Sequence, residues 1–282
     1  MNIPIREYFP LFPDGKKKVF TLSFDDGVEQ DIRLVSLMKA YGVKGTFNLN
    51  SGIFRDENAP YTHPLMRRLP KSEIVKLFSS EDTEVAVHGL VHPFWANLPA
   101  ENALYDILQD RRNLEEIFRR PIRGAAYPYG SFNKTVIEQL QKAGIRYART
   151  VRDTEDFRLP EHWLTLDPTC HFANTRLEEL TDRFLSEESE NQPMMFYVWG
   201  HSYEFEALNN WDVMERLLDR LGGRNDVWFA TNMEIYEYLA AVSSLDFSLE
   251  CSTVKNPSAL TVWLQKYGEV YQIDPGQTTA LS

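Results

Sequence analysis

Short apolar runs, rich in β-branched and aromatic residues, alternate with stretches of helical periodicity along most of this chain, and that alternation constrains the fold more than any other feature. Val19 to Phe24 reads as a buried strand, and an amphipathic helix follows from about Glu29 to Tyr41, ending at Gly42. Further strands are expected at Lys44 to Leu49, Glu84 to His88, Arg123 to Tyr127, Arg146 to Val151, Met194 to Trp199 and Val227 to Ala230. Helices are expected over Ser72 to Ser79, Ala100 to Arg120, Lys134 to Ala143, Trp211 to Leu221 and Met233 to Val242. One more would open at a capping box of Thr175 and Glu178. Strand–helix alternation argues for parallel strands with helices outside, and the number of units favours an α/β barrel of about seven strands over residues 1–244. The remainder, 245–282, breaks the pattern. Thr261 to Gln265 and Val270 to Ile273 alternate around Tyr267-Gly268, which predicts a hairpin closed by Pro275-Gly276. That stretch is expected to form a small C-terminal β appendage packed on the barrel.

Charge and composition remove several functions. With 41 acidic against 30 basic residues, the formal net charge of −11 has the wrong sign for a phosphate backbone, so no nucleic-acid partner is expected. The single basic run, Lys16-Lys17-Lys18, reads as the solvated entry to a strand. No apolar run reaches the length of a membrane span, so no membrane partner is expected either. Met1 to Gly15 lacks a charged region followed by an apolar stretch, and a cytoplasmic location is the expectation. Cys170 and Cys251 lie far apart without a spacing pattern, which points to isolated thiols rather than a disulfide framework.

In a barrel of this kind catalytic residues gather at the carboxyl ends of the strands, and four such ends carry the chemistry here. They are Ser23-Phe24-Asp25-Asp26-Gly27, Val87-His88-Gly89-Leu90-Val91-His92-Pro93, Ala125-Ala126-Tyr127-Pro128-Tyr129-Gly130 and Trp199-Gly200-His201-Ser202-Tyr203-Glu204. His88 and His92, four apart, would face one side of a helical turn and present two nitrogen ligands to one divalent ion. Such a pair alone is often chance, and Asp-Asp-Gly alone is often turn chemistry. Together they are far more specific, because two adjacent carboxylates are costly to hold unless a cation neutralises one of them. Asp26 would then complete an Asp-His-His metal set, and Asp25, off the metal, would take a proton from a water the cation activates. A lone histidine after an apolar strand is more often structural, but amide hydrolysis needs a general acid opposite the base, and His201 is the candidate. Tyr127, Pro128, Phe94, Trp95 and Trp199 lie beside these motifs as candidate substrate contacts, with core packing the commoner role for any one of them.

The order and spacing of these segments resemble the polysaccharide deacetylase superfamily (the NodB-homology domain, carbohydrate esterase family 4), from about Val19 to Val242. The resemblance implies a distorted (β/α) barrel, with Asp25 as catalytic base and Asp26, His88 and His92 as ligands of one divalent ion. Zinc is the first expectation, and cobalt, nickel or manganese the alternatives. It also implies that the Tyr129 backbone N–H helps hold the oxyanion and that His201 is the general acid. The activity implied is metal-dependent removal of an N-acetyl group from a carbohydrate. Three departures mark a divergent subgroup. Gly89 stands where the family has Ser or Thr. Ala126 stands where an arginine pairs with the catalytic Asp, leaving Arg123 or Arg149 to replace it. The Asp-Trp pair that tunes the last histidine has no clean counterpart, with Asp167, and Asp156 near Trp163, as candidates. A cyclic imide or ureide hydrolase of the same superfamily and a non-catalytic carbohydrate-binding barrel are the alternatives.

Overall fold

The computed structural model describes residues 8–187 and 193–281. Strand β1 (Tyr8–Leu11) precedes β2 (Lys18–Asp25), α1 (Asp31–Ala40) and β3 (Gly45–Leu49). Then come α2 (Lys71–Phe78), β4 (Thr83–Val87), α3 (Ala100–Phe118), β5 (Gly124–Ala126), α4 (Lys134–Lys142) and β6 (Tyr147–Arg149). Residues 150–169 contain only a 3-10 turn, at Trp163–Thr165. Beyond them lie β7 (Cys170–His171), α5 (Leu177–Ser186), β8 (Met194–Gly200), α6 (Tyr203–Ala207), α7 (Trp211–Leu221), β9 (Val227–Phe229) and α8 (Asn232–Ser243). Five short strands finish the chain: β10 (Asp246–Phe247), β11 (Thr253–Lys255), β12 (Val262–Lys266), β13 (Glu269–Ile273) and β14 (Thr278–Ala280).

One parallel sheet in the order β6-β5-β4-β3-β2-β8-β7 forms a curled half-barrel with helices around it. Every residue of β2 and β8 is buried, as expected where helices and a barrel interior cover both faces of a parallel strand. On the side away from β8, β2 pairs first with β9 (Lys18 to Phe20) and then with β3 (Leu22 to Asp25), which is where the barrel departs from regularity. The opposite edge is linked by a parallel bridge between Arg149 and Leu166.

The two-residue period of the strands sorts side chains into two environments. Phe20, Leu22 and Phe24 of β2, Phe47 and Leu49 of β3, Val85 and Val87 of β4, and Phe196 and Val198 of β8 join the main hydrophobic cluster with the helices. The alternate positions look into the barrel: Thr21, Ser23 and Asp25, then Thr46 and Asn48, then Glu84, and Tyr147 and Arg149, all buried except Glu84, which is half-buried. Most of their polar groups are paired, Asn48 Oδ1 and Arg149 Nε being left without a partner. Glu84 accepts from the Tyr147 hydroxyl (2.6 Å), the Thr46 hydroxyl (2.9 Å) and the Met233 backbone N–H (2.9 Å). The Asn232 amide donates to the Tyr197 hydroxyl (2.6 Å). The barrel interior is thus a largely hydrogen-bonded column with the Asp25 carboxylate at its upper end.

Three sequence expectations are corrected. Helix α5 starts at Leu177 with Arg176 before it, and no side chain caps it. Arg176 is instead engaged by Glu155 and Glu179, and its backbone N–H is taken by the Asn174 side chain (2.9 Å). The capping box of this fold is Thr231 with Glu234, opening α8. Lys18 is buried, donating to the Leu185 carbonyl (3.0 Å), and so does not belong to a solvated run. Finally, the hairpin of β12 and β13 turns at Tyr267 and Gly268, both in left-handed conformation, but its third strand is β1 from the amino terminus. Residues 8–11 therefore belong with the appendage, not with the barrel as the division at 244 implies.

Candidate active site

Adjacent residues of a strand point to opposite faces, so Asp25 and Asp26 cannot share a cavity unless the backbone breaks step. It does. The Asp26 N–H still bonds the Asn48 carbonyl (2.9 Å), closing the β ladder, but Asp26 has φ of 86° and Gly27 φ of 65°. His88 and His92 are joined the same way. They do not lie on a helical turn: Gly89 (φ 78°) and His92 (φ 57°) adopt left-handed conformations and fold the loop back, because the chain leaves a strand end there and helical spacing does not apply. Tyr129 (φ 56°) is a third such residue. Left-handed conformations at non-glycine residues are unfavourable by roughly 1–2 kcal/mol each, and three at one cavity mark where packing has been arranged to hold unusual geometry.

The cavity at the carboxyl ends of the strands has a volume of about 530 Å³ and is lined by both aspartates, the three motif histidines and Arg68. Asp25 is held from three sides. Arg149 Nη2 donates to its Oδ2 (2.5 Å), and Asn48 donates to its Oδ1 (2.8 Å). His88 Nε2 and His201 Nε2 approach Oδ2 at 3.5 and 3.8 Å. Burial alone would raise the Asp25 pKa, but Arg149, with help from the two imidazoles, holds it well below the usual carboxylate range. Arg149 is fully buried, stacked on the Trp199 ring at 4.4 Å, while the Trp199 Nε1–H donates to Asp153 (3.0 Å). Of the two arginines expected to replace the one absent at Ala126, the structure selects Arg149. Arg149 pairs directly with Ala126 across β5 and β6 and so points to the same interior, whereas Arg123 precedes Gly124 on the opposite parity.

Asp26, His88 and His92 place a carboxylate oxygen and two imidazole nitrogens within 4.8 Å of one another. His88 Nδ1 faces the Ala126 carbonyl at 3.0 Å, which fixes the proton there and leaves the Nε2 lone pair turned to His92 Nε2, 3.1 Å away. Burial lowers both pKa values, that of His92 to about 4, so both rings are neutral as metal ligation requires. Arg68 takes Asp26 Oδ1 (2.9 Å), and the other oxygen is available to a cation. This donor set fits a divalent ion. Its supports are also in place: Asn50 donates to the His88 and Gly89 carbonyls (2.5 and 2.9 Å), and Asp110 accepts from the backbone N–H of Ser51 and His88 (2.8 and 3.1 Å).

His201 approaches the same Asp25 oxygen as His88. The residue that holds it is Glu204, whose Oε2 lies 3.1 Å from both His201 Nδ1 and the His201 backbone nitrogen. Neither Asp167 nor Asp156 approaches it, since these pair with Arg152 and Arg158. Burial opposes protonation of His201, but Glu204, Asp25 and Asp26 outweigh it and raise its pKa. Glu204 is depressed to about 2, burial being overcome by its hydrogen bonds from His171 and His201. His171 and Asp153 escaped the sequence reading. His171 lies in a strand of two residues and Asp153 in the irregular stretch after β6, and neither gives a periodic signal.

The aromatic candidates separate. Trp95 is fully buried, its Nε1–H on Asp106 (2.7 Å), and Pro128 is buried in its turn, so neither contacts the cavity. Tyr127 lines the cavity but is buried, its hydroxyl donating to the Leu164 carbonyl (2.6 Å), and Trp199 backs Arg149. An exposed aromatic surface at the rim is the Tyr129 ring stacked on Phe94 at 3.9 Å. The turn's backbone bonds run from Gly130 N–H to the Tyr127 carbonyl (2.9 Å) and from Ser131 N–H to the Pro128 carbonyl (3.0 Å), and the Tyr129 N–H takes part in neither.

A polysaccharide deacetylase family model matches residues 13–148. No curated protein sequence matches the chain. Among solved structures, the Streptococcus pyogenes deacetylase PplD in complex with acetate is 18% identical, with a TM-score of 0.45 over 54% of this chain and 63% of that one. A family 4 carbohydrate esterase pseudoenzyme from Bacillus anthracis is 16% identical, with a TM-score of 0.49 over 78% of this chain and 66% of that one. A variant of the peptidoglycan deacetylase PdaC from Bacillus subtilis is 16% identical, with a TM-score of 0.51 over 81% of this chain and 94% of that one. The chain spans less than two thirds of the first two, and the third supports the fold. The family match covers just under half of the chain, including the segments that supply Asp25, Asp26, His88 and His92, so that this part is similar to polysaccharide deacetylases.

Proposed function

We propose that this chain is a metal-dependent deacetylase hydrolysing the N-acetyl group of an amino-sugar-containing glycan or oligosaccharide. The observation that carries the reading is the position of the buried, ionised Asp25 between two imidazole environments: the neutral pair His88 and His92 on one side, and the proton-holding His201 on the other. A base, a ligand set and an acid meeting in one cavity are what amide hydrolysis requires.

When bound at Asp26, His88 and His92, a divalent ion, zinc first and cobalt, nickel or manganese otherwise, supplies Lewis acidity for a water and an amide carbonyl. Asp25 accepts the proton of the attacking water, and Arg149 and Asn48 keep both of its oxygens oriented while it waits. The Tyr129 N–H supplies a donor for the oxyanion that develops on the former carbonyl. His201 passes the proton on Nε2 to the departing nitrogen, while Nδ1 remains against Glu204. Acetate and a free amine are the products. The stacked Phe94 and Tyr129 rings offer a flat apolar face at the rim where a pyranose ring can rest.

The test is acetate release from N-acetylglucosamine oligomers by metal-free protein reloaded with Zn²⁺, Co²⁺ or Mn²⁺, beside Asp25→Asn and His88→Ala. Metal-dependent release lost in both variants supports the proposal. One metal bound per chain without acetate release sinks the N-acetyl substrate and turns the search to cyclic imides and ureides. A chain that binds no metal sinks the reading altogether.

A further inference from the structure

A second group of ligand-type side chains lies beside the first: His171, His201 and Glu204 bring their donor atoms within 4.8 Å of one another. The hydrogen bonds decide what this group is. The Ala173 backbone N–H donates to His171 Nδ1 (3.2 Å). A ring nitrogen that accepts carries no proton, so in the neutral ring the proton is on Nε2. That nitrogen faces Glu204 Oε2 at 3.1 Å and has no lone pair to give a cation. The same oxygen faces the His201 backbone N–H and His201 Nδ1, each at 3.1 Å. One carboxylate oxygen thus takes three N–H donors, two from the residue it serves and one from a different strand.

Each donor draws on the charge of that oxygen, so a third one weakens the hold of the carboxylate on the imidazolium. His171 is itself well fixed, because its backbone N–H donates to both oxygens of Asp153 (3.0 and 2.9 Å). We infer that His171 is a positioning residue for the general acid: its Nε2–H locks the Glu204 carboxylate against His201 and shares its charge, so that His201 releases its proton more readily than a Glu204–His201 pair alone would allow. The catalytic consequence rests on the deacetylase reading, whereas the coupling of the three side chains does not. The other titratable groups facing His201 are Asp25 and Asp26 from the end of β2 and Tyr203 from α6, and all three are untouched by substitution at position 171.

The experiment follows the His201 ring by NMR titration in the zinc-loaded protein, wild type against His171→Phe and His171→Gln. Gln can return a donor to the place of Nε2, whereas Phe cannot. We expect the His201 midpoint to rise by about one pH unit in His171→Phe and to stay within a few tenths in His171→Gln. The basic limb of kcat should move with it. An unchanged or lowered midpoint in the Phe variant, or an equal shift in both, overturns the inference. Should the Phe variant not fold, the wild-type nitrogen spectrum at pH 8 decides: an Nε2–H tautomer at His171 supports it, and an Nδ1–H tautomer overturns it. A second equivalent of Co²⁺ binding at His171 also overturns it. Because the ring signals are read without turnover, a chain that releases no acetate but shows the shift refutes the reaction and leaves the coupling standing.

Discussion

Ala126 and Arg149 face each other across β5 and β6, and the guanidinium of Arg149 reaches Asp25 from the strand next to the one where the family places its arginine. Paired positions of a parallel ladder share one face, so the charge has moved sideways by one strand without leaving the barrel interior. Its importance follows from burial. An Asp25 without Arg149 is an interior carboxylate that has lost its nearest fixed cation, and breaking such a pair by removing one partner costs about 3–5 kcal/mol. Arg149→Met should lower the stability of the metal-free protein by that amount in urea unfolding. The Asp25 pKa should rise, moving the acidic limb of activity upward. A Met variant within about 1 kcal/mol of wild type would show that Asn48 and the two imidazoles suffice to hold the carboxylate.

Replacing Asp26, His88 or His92 by Ala should reduce metal bound per chain from one to none by calorimetry, with the fold retained. The pH dependence has a definite sign. The His92 pKa is lowered to about 4 against an unfolded value near 6.5, so the folded chain binds fewer protons than the unfolded one between those values. This histidine therefore favours folding above about pH 6.5, and the contribution is lost as the pH falls toward 4. Metal affinity should likewise hold down to about pH 5 and fall below it. Affinity declining from pH 7 would contradict the depressed value.

Asp31 gives the opposite sign. Its carboxylate joins two loops of the candidate site, accepting from the Val28 N–H (2.9 Å), two residues beyond Asp26, and from the Ser202 hydroxyl (2.7 Å), beside His201. Burial raises its pKa to about 7, only partly opposed by these bonds. A carboxyl raised in the folded state contributes its full stability below the unfolded pKa of about 3.9, and that contribution is lost as the pH rises through 7. Asp31→Asn keeps an acceptor for Val28 and can donate to Ser202. It should match wild type near pH 4 and exceed it by on the order of 2–4 kcal/mol at pH 8. Equal slopes of stability against pH in the two proteins would rule out a titrating Asp31. Asp31→Leu, which leaves both donors unpaired, should instead be destabilised throughout.

Strand-by-strand alternation was legible because β2, β3, β4 and β8 are long enough to show their apolar faces, and Asp25, Asp26, His88, His92 and His201 stood at their ends. Tighter reading of parity would also have selected Arg149. Ala126 is inward, its β6 neighbour at the same level is inward, and Arg123 is on the other face. What the sequence hid depends on distant pairing or very short elements. No local pattern shows that Tyr8–Leu11 pairs with Val262–Lys266, some 250 residues away. A two-residue strand, Cys170–His171, carries no period, so His171 passed unnoticed. Glu204 was in plain view beside His201, but its role depends on the turn that folds α6 back over the histidine, and the acids of residues 150–169 looked equally placed.

Gly89 shows how a departure from the family can be a packing requirement. Its φ of 78° is open to glycine at little expense, and a Cβ built there would lie 2.9 Å from Pro93 Cδ, 3.1 Å from Asp106 Oδ1 and 3.3 Å from Pro128 Cγ. Asp106 cannot yield freely, because the same Oδ1 accepts from the Trp95 indole (2.7 Å) and from the Leu90 N–H (3.1 Å), the bonds that set the loop between the two ligand histidines. A serine at 89 is therefore excluded by this loop, and Asn50 supplies the polar support to the His88 backbone instead. Gly89→Ser should cost about 2–4 kcal/mol, the sum of left-handed strain and overpacking. It should also weaken zinc binding at least tenfold, since the strain is relieved by shifting His92. Gly89→Ala should lose nearly as much, which separates the Cβ from the hydroxyl. Measured by urea unfolding and zinc titration, a serine variant of wild-type stability and affinity would mean that the loop has room for the family residue, and the absence of Ser or Thr here would then have no packing cause.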